Sequence, residues 1–111
     1  MTPKEFSKYL RRDGGCCHCG AVETAVPQHR INRKMGGSKL LNKASNIIAL
    51  CAEMNGLIES DSHMAEIARH NGWKLESWQD PEFEPVYYAT EGRWYYLDDF
   101  FGRAVQLPEK G

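Results

Sequence analysis

Apolar residues recur along this chain in a helical rhythm first, then in short β-branched runs. Phe6, Tyr9 and Leu10 stand at i, i+3 and i+4, one stripe of an amphipathic helix. Thr2 can cap that helix, Pro3 takes its first position and Glu5 completes a capping box. Asp13-Gly14-Gly15 then ends it. A short strand is predicted from Ala25-Val26 through Gln28 and His29 to Ile31. A second runs over Asn46-Ile47-Ile48-Ala49-Leu50, and Cys51 opens a helix that continues to Ile58. Another helix over Ser62–His70 stops at Asn71-Gly72. The last third reads as a small antiparallel meander, with strands over Val86–Ala89, Arg93–Leu97 and Arg103–Leu107. The pattern predicts an α+β protein: a ββα core with an N-terminal helix over 1–75, and a β extension over 76–111 packed on the same domain.

At 111 residues the chain is one domain's worth, with little core to spare. No run approaches the roughly 18 apolar residues of a membrane span, and no apolar signal segment opens the chain. The expected setting is the cytoplasm. The near-neutral balance of 14 Lys plus Arg against 15 Asp plus Glu hides a polarity. The first 43 residues are basic on balance and the last 36 acidic. Gln28–Lys43 holds Arg30, Arg33, Lys34, Lys39 and Lys43 with no acid, which suggests a phosphate-facing surface. The polar face of the first helix, with Lys4, Lys8, Arg11 and Arg12, extends that patch. Tyr and Trp in the acidic meander point to packing or to a protein-facing surface rather than to phosphate contact.

The four cysteines, at 16, 17, 19 and 51, are poorly spaced for bridges. Cys16 and Cys19 form a C-x-x-C turn, and with Cys51 they make three candidate ligands for a tetrahedral Zn²⁺. The fourth ligand is expected three residues after Cys51, where Met54 stands. Cys17 and His18 lie inside the turn, and His63 or His70 would have to fold back. The alternative is three buried free thiols that hold the same corner by packing.

Phosphodiester hydrolysis with one divalent ion needs a base, an orienting group for it, and ligands for the ion. His29, on a strand beside a basic loop, suits the base. Asn46 is expected to hold its imidazole, and the helix after Cys51 brings Asn55 back over the strand. The plainer alternatives are a hydrogen-bonded core histidine and two asparagines that satisfy backbone groups.

These pieces together resemble the zinc-knuckle members of the HNH endonuclease family. The resemblance rests on Cys16-Cys17-His18-Cys19, Gln28-His29-Arg30, Gly36-Gly37, Ser45-Asn46-Ile47, Leu50-Cys51 and Met54-Asn55. Over residues 1–107 the chain is also similar to small HNH-like proteins of actinobacterial phages. The resemblance implies a ββα-metal core and a metal-dependent DNA endonuclease or nickase. His29 would be the general base, Asn46 the positioning residue and Asn55 a ligand of Mg²⁺ or another divalent ion. It further implies DNA as partner, a phage protein of the host cytoplasm, and structural Zn²⁺ on Cys16, Cys19 and Cys51. Two positions depart from the family pattern. Gln28 replaces the usual Asp or His ligand, and Met54 the fourth zinc cysteine. A non-catalytic module that binds nucleic acid or protein is the alternative.

Overall fold

A computed structural model describes residues 1–32 and 39–106, with Lys39 and Leu40 described by backbone alone. Helix α1 spans Pro3–Asp13. Thr2 Oγ1 accepts the Glu5 N–H at 3.1 Å, and Gly14, in the left-handed conformation, donates its N–H to the Leu10 carbonyl. Strands β1 (Ala25–His29) and β2 (Ile47–Cys51) form an antiparallel hairpin in the register Ala25↔Cys51 to His29↔Ile47. Helix α2 (Ala52–Ser60) leaves β2 without a linker and packs across both strands. Its cap is Cys51, which closes β2 where the sequence pattern put it at the helix's first position. Asp61 ends α2 and caps α3 (Ser62–His70), its carboxylate accepting from the His63 and Met64 N–H groups. At the α3 stop, Gly72 is obligatory: its φ is 76°, and a Cβ there would collide with the Pro85 carbonyl.

Strands β3 (Val86–Tyr88), β4 (Arg93–Leu97) and β5 (Arg103–Val105) form the antiparallel meander. The chain is therefore an α+β globule of helix, hairpin, two helices and meander. Leu107, expected at the end of β5, lies outside the described residues. Ile48 and Leu50 of β2, Met54 and Ile58 of α2, Trp73, and Val86, Tyr88 and Leu97 of the meander share one buried cluster. The 76–106 segment is thus held by the same core as the hairpin, with the Ala89 N–H donating to the Cys17 carbonyl at 2.9 Å.

β1 ends at His29, two residues short of the expected Ile31, because Arg30 turns into the interior. Its N–H goes to the Asn46 carbonyl and its carbonyl accepts the Leu75 N–H, leaving Ile31 in a lone parallel bridge to Leu75. The Arg30 guanidinium is fully buried. It donates to four carbonyls, those of Gly72, Ser45, Pro81 and Glu84, at 2.7–2.9 Å. Burial pulls its pKa down to about 10, so it stays charged at neutral pH, solvated by carbonyl dipoles. The expectation that Arg30 faces phosphate is corrected. It is a clamp between the connection that precedes β2 and residues 72–84, which lead from α3 to the meander.

A second buried charge joins α1 to both sheets. Asp13 accepts from the Arg12 guanidinium at 2.7 and 3.1 Å, from the Ala49 N–H at 2.9 Å and from the Tyr88 hydroxyl at 2.6 Å. Arg12 passes its other donors to the Ala44 and Ile47 carbonyls. Among the described residues no buried side-chain polar atom lacks a partner.

Breaking a buried charge network costs roughly 3–5 kcal/mol, whereas a half-exposed ion pair contributes at most about 1 kcal/mol. Arg30→Met is therefore expected to lower the unfolding free energy in urea by about 3 kcal/mol or more. Lys43→Met, which removes a partly exposed pair with Asp99, should change it by less than about 1 kcal/mol. An Arg30→Met protein as stable as wild type would return Arg30 to the surface.

Candidate metal centre and the cleft beside it

Two glycines with positive φ, Gly15 at 117° and Gly20 at 81°, fold residues 15–20 into a tight knuckle. A Cβ on Gly15 would strike the Gly20 carbonyl, so the approach of the two strands of the turn depends on glycine there. The knuckle closes through Cys16 N–H to the Ala21 carbonyl and Gly20 N–H to the Cys16 carbonyl, both 2.8 Å. It aims Cys16 and Cys19 at the head of α2, where Cys51 waits as N-cap. The three sulfurs lie within 4.8 Å of one another.

Each sulfur is met by a backbone N–H. His18 donates to Cys16 Sγ at 3.3 Å and Met54 to Cys51 Sγ at 3.4 Å. The Ala21 N–H holds the exposed Cys19 thiol below its ordinary pKa, while burial raises that of Cys16. Donors aimed at sulfur favour the thiolate, the form that binds metal. Tetrahedral zinc thiolates place sulfurs about 3.8 Å apart (Zn–S near 2.3 Å), within easy adjustment of this spacing. The cluster could hold a metal such as zinc.

The adjacent cysteine does something else. Cys17 is fully buried, its N–H bonded to the Ala49 carbonyl, and burial pushes its thiol well above the usual range. It is a core residue. Met54, at the expected fourth-ligand position, is 4% exposed and packs into the same cluster. His18 lies edge-on to Trp73, and His70 edge-on to Trp94. Among the described residues no fourth His, Cys, Asp or Glu joins the three thiols.

On the other side of the hairpin's last turn, Gln28 and Asn55 meet. Asn55 Nδ2 donates to Gln28 Oε1 at 2.5 Å, and Gln28 Nε2 donates to the His29 carbonyl at 3.1 Å. A cleft of about 170 Å³ opens over them, lined by Pro27, Gln28, His29, Asn32, Asn55 and Glu59. Glu59 was not anticipated. It stands four residues beyond Asn55, one turn along the same face of α2, and the i, i+4 spacing was the available signal.

Asn46 does not reach the imidazole. It is fully buried, with Oδ1 accepting the Ile31 N–H at 2.8 Å and Nδ2 donating to the Leu41 and Ile31 carbonyls. Its own carbonyl takes the Arg30 N–H, so it fixes the chain just after His29 rather than the ring. The expected contact is corrected to Asn42, whose Oδ1 lies 3.1 Å from His29 Nε2. With that oxygen accepting, Nε2 carries the proton and Nδ1 keeps the lone pair.

Of the expected phosphate contacts, Arg30 is buried and Lys43 pairs with Asp99 at 3.6 Å. Arg33, Lys34 and the Gly36-Gly37 turn lie outside the described residues, as does the side chain of Lys39. No helix among the described residues is long and apolar enough to cross a membrane. No family model, curated protein or solved structure matches this chain.

Protein purified without added metal is expected to carry about one zinc per chain. Cys19→Ser should lose it, and Cys17→Ala should keep it despite its cost to the core. Equal zinc in both variants, measured by atomic emission, would remove the three-thiol site.

Proposed function

We propose that this chain is an HNH-type, metal-dependent DNA endonuclease or nickase built on a ββα-metal core. One observation carries the proposal: Gln28, His29, Asn55 and Glu59 line a single cleft where β1 faces α2. A histidine base beside amide and carboxylate oxygens is the minimum for hydrolysis assisted by one ion.

In this reading Asn42 holds the His29 ring by its Nε2–H, leaving Nδ1 to take a proton from water. The water oxygen forms its bond to phosphorus as the bond from phosphorus to the leaving sugar oxygen breaks, and the proton returns through solvent to that oxygen. Gln28 Oε1, the Asn55 amide oxygen and the Glu59 carboxylate are the oxygens that would hold Mg²⁺ or another divalent ion. Such an ion supplies charge to the scissile phosphate and the leaving oxygen. Zn²⁺ on Cys16, Cys19 and Cys51 would fasten the knuckle to the start of α2, and so fix Asn55 one turn further on. The setting this reading implies is a phage protein in the host cytoplasm.

A second reading has its own support. Gln28 Oε1 is already occupied by Asn55, and the pair offers no charge of its own. That arrangement suits a non-catalytic module that binds nucleic acid through the same face, or a protein partner through the meander, where Phe100 in the β4–β5 turn is 90% exposed and Phe83, just before β3, 74%.

The two are separated on supercoiled plasmid with Mg²⁺ or Mn²⁺. Wild type is expected to nick it, and His29→Ala to lose roughly 10²-fold or more of the rate. Asn42→Ala should lose less, and Gln28→Asp should lower the metal concentration needed for half-maximal rate. Nicking at equal rates by wild type and His29→Ala removes this mechanism. No nicking by wild type or Gln28→Asp leaves the binding module.

A further inference from the structure

His29 borders two hollows, and the cleft over Gln28 is the smaller. The larger, about 540 Å³, lies between α1 and the hairpin, and Glu5, Lys8, Tyr9, His29, Asn42 and Phe101 contribute to its lining. That volume is within the roughly 300–1,000 Å³ range of ligand pockets. Phe101 closes one side. It meets the Tyr9 ring edge-on at 5.0 Å, and Lys8 Nζ sits 5.6 Å from its centroid. Phe101 has a φ of 62°, the lone non-glycine in that region among the described residues. A bulky residue held there is strained, and such strain gathers at binding sites.

A cationic stripe runs along α1 and meets this hollow at Lys8. Lys4, Lys8 and Arg11 fall at i, i+4 and i+7 on one exposed face of α1. Among the described residues none of the three has an ion-pair partner. A second depression, lined by Lys8, Arg11, Arg12 and Phe101, continues from the first along the helix. Seven residues of helix rise about 10 Å, and a stacked strand advances about 3.4 Å per nucleotide. The stripe therefore spans about three phosphates.

We infer that the hollow between α1 and the β1–β2 hairpin receives one unpaired nucleobase of a DNA strand whose phosphates run along Lys4, Lys8 and Arg11. Phe101, half-buried and backed by the buried Tyr9 ring, offers aromatic surface to the base, and aromatic contact of this kind accepts any base. The Glu5 carboxylate, in the lining beside Lys8, is an acceptor for the exocyclic amines of cytosine, adenine or guanine. Because His29 lines the same hollow, a strand bound this way brings an adjoining phosphate to the imidazole. The inference rests on the nuclease or nucleic-acid-binding reading above and names its substrate: DNA that is single-stranded or locally unpaired at the site.

The test is fluorescence anisotropy with a labelled single-stranded oligonucleotide and its duplex, without Mg²⁺, across a salt series. Wild type is expected to bind the single strand at least tenfold more tightly than the duplex. Lys4→Gln/Lys8→Gln/Arg11→Gln should lose affinity and flatten the slope of log K against log salt by about 2, at roughly 0.7 per phosphate contact on a single strand. Phe101→Gly keeps the φ that position demands and removes the ring. It should abolish the preference for single strand while retaining the zinc content and thermal stability of wild type to within a few degrees. Equal affinity for strand and duplex, an unchanged slope in the triple variant, or no binding by wild type each overturns the inference. A wild type that binds in this manner yet never nicks plasmid sustains it and refutes the nuclease.

Discussion

The fold depends on a buried carboxylate. Asp13 ends α1, and from there it holds the Arg12 guanidinium, the Ala49 amide of β2 and the Tyr88 hydroxyl of β3. Helix, hairpin and meander share no strand ladder, and this side chain bonds to all three. Burial makes the arrangement all-or-none. A charge with every lone pair occupied is tolerated in the interior, while the same charge with one partner missing costs several kcal/mol. The aromatic hydroxyl follows suit: burial and the adjacent Asp13 charge push the Tyr88 pKa well above its normal value, keeping it a donor.

Arg30, just past the end of β1, has the complementary role. Its donors gather carbonyls from residues 45, 72, 81 and 84, and so tie the connection before β2 to the one between α3 and β3. It follows His29 directly, so the residue that locks the loops also locks the end of β1. Asn46 reinforces that point by bonding both backbone groups of Ile31. The imidazole therefore stands on a rigid stem and has its tip adjusted by an exposed Asn42. Rigidity comes from beneath the cleft, not from within it.

The elements were legible wherever local rules decide: the Thr2-Pro3 start of α1, the β-branched hairpin, the glycine stop at 72, the three meander strands. The cysteine knuckle was legible too, because its spacing encodes the geometry. Arg30 was misread because it opens a run of cations, and a run of cations reads as surface. Strand parity pointed the other way, since Gln28 and Arg30 are two apart and both turn inward, with His29 between them half-buried. Asn42 and the Phe101 wall had no local signature. Each reaches its neighbour across a loop or from the far end of the chain, and only the closed fold brings them to His29 and Tyr9.

Met54 and Gln28, the two departures from the HNH pattern, have the same physical consequence. Met54 gives its side chain to the cluster that Trp73, Val86 and Tyr88 complete, and burial of this kind contributes about 1.5–3 kcal/mol. Met54 thus stabilises the corner by packing at the position where a fourth ligand was expected. At Gln28 a carboxylate would bring a charge into a position 6% exposed, where only a bound cation could balance it. The amide needs no such balance. Its oxygen accepts from Asn55 and its nitrogen donates to the His29 carbonyl, so the cleft is internally satisfied before any ligand arrives. Folding and the placement of His29 are thereby uncoupled from metal at the cleft. In the proposed nuclease, Glu59 would be the one charged residue of the cleft able to hold a divalent ion, and the rest of the balancing charge would have to come from the substrate phosphate.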